Sequence, residues 1–169
     1  MLITETQRLR IRHLDEGDAQ FIVELLNEAA FIRNIADKGV QTIEDATDYL
    51  NSGPIDSYKQ FGYGLNLLEL KSTMQPVGMC GILKREEQDF PELGYALLTE
   101  HCSNGYAVEA SRAVLINAHQ VHNLVKVLAV TRPDNVRSLK LLEKLGFKFV
   151  KTVQCYNGKT ENNLLEYKF

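Results

Sequence analysis

The sequence predicts one α/β (α+β) domain, and three observations predict it. Segments with period-2 apolar alternation interchange with segments whose apolar residues recur at helical spacing. Residues 92–98, 105–120 and 125–131 read strand, helix, strand, a βαβ unit whose two strands lie parallel with a right-handed crossover. The 169 residues are 44% hydrophobic and 24% charged, with no low-complexity tract or repeat, enough for a single core spanning 1–169.

The elements follow in order. Leu9, Ile11 and His13 alternate with Arg8, Arg10 and Arg12, a first strand with one charged face. Asp15 caps a helix carrying Phe21, Ile22, Leu25 and Leu26 at helical spacing. Thr42 opens another with Asp45 in the acidic slot of a capping box, and Ser52-Gly53-Pro54 is expected to end it. GYGLNLLEL (62–70) and VGMCGIL (77–83) read as strands joined by a turn. A charged, solvated loop containing Lys84-Arg85-Glu86-Glu87 leads to ELGYALL (92–98). The helix over 105–120 and the strand VKVLAVT (125–131) follow. SLKLLEKL then reads as a helix stopped by Gly146. KFVKTV, a turn at Asn157-Gly158 and NLLEYKF close the chain as a hairpin. Seven strands are expected.

The bulk numbers exclude some classes. A net charge of −3 with no basic stripe argues against nucleic acid, while an acidic surface tolerates an amine-bearing partner. Cys80, Cys102 and Cys155 are odd in number and unpaired in spacing, the pattern of a reducing compartment. No run of 18 apolar residues appears, and the first residues lack a signal-peptide core, so a cytoplasmic protein with no membrane span is expected.

HCSNGYAVEASRAV (101–114) is the segment with the most chemistry. Ser103 and Asn104 stand at the cap position of the helix that follows, and Gly105 and Ala107 let a ligand approach its first N–H groups. Those groups carry the positive end of the helix dipole and lie beyond the carboxyl end of a strand, where ligands of such sheets bind. Two readings stand side by side: an ordinary helix start, or a cradle for phosphate. No GxxxxGK[ST] and no GxGxxG is present, against a nucleotide-hydrolysing loop or a dinucleotide site.

Taken together, TQRLRIRHL, PVGMCGIL, PELGYALL, NGYAVEA and RPDNVRSLKLLEKLGF resemble the GNAT acetyltransferase superfamily, and within it the branch of ribosomal-protein N-terminal acetyltransferases. Gly105 and Ala107 match the small positions of its Gln/Arg-x-x-Gly-x-Gly/Ala loop, with Cys102 where Gln or Arg stands. The resemblance implies a mixed, mostly antiparallel, seven-stranded sheet flanked by helices, its fourth and fifth strands (92–98 and 125–131) parallel and splayed. It implies acetyl-CoA as co-substrate, with no metal. The pantetheine arm would pair with the backbone of Leu97, Leu98 and Thr99. The diphosphate would sit on N–H groups of Ser103, Asn104, Gly105, Tyr106 and Ala107. Asn135 and Ser138 would lie beside the pantetheine and thioester, Asn135 also capping the following helix.

The implied reaction is direct acetyl transfer to a primary amine, an N-terminal α-amine of a peptide or protein being the first acceptor expected. A small amine (polyamine, amino acid or aminoglycoside) and a non-catalytic acyl-CoA-binding module are the competing readings; either a monomer or a homodimer fits. An attacking amine must lose a proton, and Glu92, flanked by Phe90, Leu93 and Tyr95, is the candidate base. The tyrosine that many superfamily members carry four residues before Gly-Phe is Leu142 here, so Ser138 is the candidate acid. Glu92 also fits a solvated strand-edge carboxylate, and Ser138 a structural helix-start serine. Cys102 beside His101 reads as a non-nucleophile, and His119 and His122 as packing residues rather than a metal pair.

Overall fold

The computed structural model describes residues 1–154 and 160–169; the Asn157-Gly158 turn and Cys155 lie outside them. β1 (Leu2–Glu5) and β2 (Leu9–His13) open the sheet as antiparallel partners. α1 (Ala19–Leu26) follows a 3₁₀ turn at Glu16–Asp18, which Asp15 caps with a complete capping box. α2 (Ala29–Asn34) has no side-chain cap. α3 (Ile43–Leu50) starts on the Thr42–Asp45 capping box that its sequence announces.

Ser52-Gly53-Pro54 does not end this helix. The backbone widens into a π turn over Asn51–Ile55 and continues as α4 (Asp56–Phe61). Pro54 is tolerated because a missing N–H costs little in a wide turn opening a new helical segment. β3 (Leu65–Leu70), β4 (Pro76–Leu83) and β5 (Glu92–Leu97) continue the antiparallel ladder. α5 (Tyr106–His122) crosses to β6 (Lys126–Thr131). α6 (Val136–Leu145) starts where Asn135 Oδ1 accepts from the Ser138 N–H and stops at Gly146. β7 (Lys148–Gln154) and β8 (Glu161–Lys168) pair antiparallel.

The sheet order is β1-β2-β3-β4-β5-β6-β8-β7, eight strands rather than seven. The additional strand is β1. Its four residues, LITE, carry too little alternation to be read alone, and pairing with β2 makes them a strand. One face packs Leu9, Leu68, Cys80 and Leu93 against Ala110, Val114 and Leu142 of α5 and α6. The other packs Leu14, Leu67 and Met79 against Ile22, Leu25 and Leu50 of α1 and α3. The arginines of β2 do not all face solvent: Arg12 holds Asp18 at 2.8 Å and Glu69 at 3.0 Å. No helix among the described residues is long and apolar enough to cross a membrane.

β4 depends on close backbone approach. A Cβ at Gly81 would stand 2.0 Å from the Gly64 carbonyl oxygen and 2.6 Å from Leu65 Cα. Those atoms are main chain and cannot swing aside, so Gly81→Ala is expected to cost about 3 kcal/mol. A fall of roughly 6–12 °C in the thermal midpoint, followed by circular dichroism, checks it.

Candidate active site

β5 and β6 are parallel neighbours that touch at one point. Glu92 pairs with Leu128, the Leu128 N–H donates to the Pro91 carbonyl at 2.8 Å, and beyond that pair β6 follows β8 through six register pairs. The two strands therefore diverge into a wedge toward their carboxyl ends.

The phase of β5 decides which main-chain groups look into the wedge. Leu98 N–H donates to the Val77 carbonyl, and alternation then assigns the groups of Leu98, Ala96, Gly94 and Glu92 to β4. The main-chain groups of Leu93, Tyr95 and Leu97 point the opposite way. Of the three residues expected to pair with a pantetheine arm, Leu97 alone keeps this orientation. Leu98 N–H is spent on β4 and its carbonyl accepts from His101 N–H. Thr99 N–H donates to Glu28 Oε1 at 3.3 Å, its hydroxyl to Glu28 Oε2, and its carbonyl accepts from Cys102 N–H. The main-chain groups of Tyr95 share the orientation of those of Leu97.

Past β5 comes a 3₁₀ turn over Thr99–His101, then a loop in which Ser103 has φ 65° and Gly105 φ 82°. A non-glycine residue at positive φ is uncommon and marks a loop held in place by its surroundings. Asn104 is not the cap: its amide donates to the His101 and Cys102 carbonyls, Gly105 occupies the cap position, and no side chain caps α5. The helix start is left more open than its sequence suggests.

Arg8, which the sequence does not single out, reaches this start. It donates to the Asn104 carbonyl at 2.9 Å, pairs with Glu109 at 2.7 Å and lies over the Tyr106 ring at 4.5 Å. Burial works to raise the Glu109 pKa, but hydrogen bonds from Thr6 and Arg8 prevail and lower it. A groove of about 470 Å³ runs from Gly105 along α5, with Arg8, Arg112 and Lys144 among its walls. Three cations against one carboxylate make it a place for an anion.

Side chains alternate across β5, so Glu92 and Tyr95 lie on opposite faces of the sheet. Glu92 opens the strand on the α1–α3 side and its side chain is 7% exposed. Arg85 Nε stands 3.1 Å from Glu92 Oε2, so the loop after β4 supplies an ionic partner where apolar neighbours were expected. On the α5–α6 side, Tyr95 Oη and Ser138 Oγ are 2.7 Å apart. Burial pushes the Tyr95 phenol up to about 12, against a smaller opposing pull from the Ser138 hydrogen bond. Leu142 is 1% exposed in the core.

The remaining candidates have other occupations. Cys102 Sγ contacts the Leu98 carbonyl at 3.6 Å, and burial raises its pKa, so the thiol stays protonated. His119 stacks on Phe169 and bonds the Leu124 carbonyl, while His122 packs edge-on against Tyr63. Among the described residues no group of three or more His, Cys, Asp or Glu is placed to hold a metal.

A strand pair splayed at its carboxyl end, followed by a loop and a helix start, is the architecture that the motifs anticipated. The acetyltransferase (GNAT) domain family matches this chain over residues 8–148. The chain is a GNAT acetyltransferase. It is therefore an acyltransferase. It is 29% identical over 154 residues to the uncharacterized protein YkkB of Bacillus subtilis, covering 90% of this chain and 88% of the relative. Its fold is that of a GNAT-family acetyltransferase from Bacillus anthracis, with TM-score 0.82 at 22% identity over 99% of this chain and 98% of the other. It is equally that of RimL, a ribosomal-protein α-N-acetyltransferase in complex with coenzyme A. There the TM-score is 0.83 at 16% identity, over 100% of this chain and 98% of the other.

Proposed function

We propose that this GNAT acetyltransferase moves acetyl from acetyl-CoA directly to a primary amine, and that its acceptor is the N-terminal α-amine of a peptide or protein. The observation that carries the first part is the wedge: β5 and β6 share one register pair and then part, leaving the Tyr95 and Leu97 main-chain groups turned into the gap. A linear amide-bearing arm pairs with those groups as an added strand does. The N–H groups from Ser103 to Ala107, with Arg8 beside them, receive the diphosphate. Asn135 and Ser138 line the arm from α6. The small exposed residues at this loop leave the approach clear, so the group fits the residues present. The likeness to RimL, which acts on a protein α-amine, supports the choice of acceptor.

The chemistry then divides between the two faces of the sheet. A protonated amine has no lone pair to attack with, and Glu92 takes the proton from the α1–α3 side, directly or through water. Ser138 serves the departing sulfur from the α5–α6 side. Incoming and leaving groups thus meet the thioester carbon from opposite sides of the wedge, which favours direct transfer over an acyl-enzyme.

Free-thiol release from acetyl-CoA, measured with a panel of N-terminal peptides, polyamines, amino acids and aminoglycosides, tests both parts. Release with peptides bearing a free α-amine, and loss of release when that amine is blocked, is the expected result. Release with small amines alone removes the peptide acceptor, and no release with any amine removes the transfer.

A further inference from the structure

Tyr95 and Ser138 are distant in sequence, lie on β5 and α6, and meet at 2.7 Å across the wedge. We propose that Tyr95 is a positioning residue for acetyl transfer: its phenol donates to Ser138 Oγ and thereby turns the serine's own hydrogen toward the sulfur that leaves. This rests on the transfer reading above and adds to it a second hydroxyl from the opposite wall.

The hydrogen-bond inventory supports it. A serine hydroxyl has one hydrogen to give and two lone pairs to receive with. The phenol is the better donor of the two, and its raised pKa keeps it protonated through the working range. Accepting from Tyr95 costs Ser138 a lone pair and leaves its hydrogen unspent. The rest of Ser138 is fixed too, because its N–H donates to Asn135 Oδ1 at 3.2 Å. Tyr95 is fixed by packing, opposite Cys80 on β4 and against the cluster formed with α5 and α6. With Leu142 buried where a helix-borne tyrosine stands in many superfamily members, the phenol comes from the strand instead. The same contact ties β5 to α6 beyond the Glu92–Leu128 pair.

The step balances as follows. The amine lone pair forms the N–C bond and the carbonyl π pair moves to oxygen. That pair returns, the C–S bond breaks and its electrons leave on sulfur. Starting from the ammonium form, nitrogen gives up one proton to Glu92 before attack and a second to Glu92 as the amide forms, Glu92 passing each on to solvent. The thiolate, held by the Ser138 O–H, takes one up from solvent, so one proton is released net. Ser138 and Tyr95 both end as they began.

The test uses Tyr95→Phe, Ser138→Ala and the double variant, with Ser138→Thr as the substitution that keeps a hydroxyl. Two quantities are read: the pKa of the coenzyme A thiol in the binary complex, from thiolate absorbance, and kcat with KM for acetyl-CoA. Tyr95→Phe and Ser138→Ala are each expected to raise the bound thiol pKa by about one unit. Each should lower kcat about tenfold with KM changed less than about threefold. In the Ser138→Ala background Tyr95→Phe should add nothing, and Ser138→Thr should restore most of the loss. A Tyr95→Phe protein that behaves as wild type overturns the proposal. So does one that loses the same factor with or without Ser138, because a phenol that merely packs acts independently. If coenzyme A binds but no amine is acetylated, the transfer reading falls while the thiol titration still decides for or against Tyr95. If coenzyme A does not bind, both fall.

Discussion

Replacing Gly105 by tryptophan lowers the affinity for acetyl-CoA at least about 100-fold while the domain stays folded. The residue has φ 82°, is exposed, and precedes the first turn of α5. An indole there covers the N–H groups proposed to receive the diphosphate, and its Cβ would lie 3.3 Å from Arg8 Nη2. The left-handed backbone costs a bulky residue roughly 1–3 kcal/mol, which a typical domain stability of about 5–15 kcal/mol absorbs. Gly105→Ala separates the two effects, since it carries most of the backbone strain without the bulk. Titration calorimetry should show Gly105→Ala binding within about tenfold of wild type and Gly105→Trp not binding measurably. Unchanged affinity in Gly105→Trp refutes the cradle.

Glu92→Gln has the second large effect. Glutamine keeps the shape of the side chain and an oxygen to accept from Arg85 Nε, now at 3.1 Å, but it cannot take a proton. We expect kcat to fall about 10²- to 10⁴-fold, with acetyl-CoA affinity unaltered because the donor is held farther along the wedge. Steady-state kinetics across a range of pH, with titration of the variant by acetyl-CoA, read both. An undiminished rate throughout would take Glu92 out of the reaction and leave it as a partner for Arg85.

The Thr42–Asp45 capping box, the Asn135 cap and the Gly146 stop were legible because each is written in residues within a few positions of one another, and the strand-helix-strand unit because each of its elements carries its own period. β1 and α2 were not. LITE is too short to show a period, and AAFIRN has no capping side chain, so tertiary pairing alone stabilises them. The Ser52-Gly53-Pro54 stop failed for a related reason, since the backbone widens into a π turn with Leu50 and Pro54 buried instead of breaking.

The candidate site divides along the same line. Its motifs, their order and the family they indicate are properties of the chain as written, and so are the residue types at Glu92, Gly105, Asn135 and Ser138. Which main-chain groups of β5 face the wedge depends on a register with β4 that local sequence does not encode. Hence Leu98 and Thr99 were expected to offer groups that β4, Glu28 and the 3₁₀ turn already use. Arg8 against Glu109, Glu28 against Thr99 and Tyr95 against Ser138 join residues separated by 101, 71 and 43 positions. Propensity acts over a turn or two of chain, so the sequence by itself determined the elements and the chemistry that they carry. Contacts across such separations exist only once the sheet has closed, and the tertiary structure alone decided which of those groups meet.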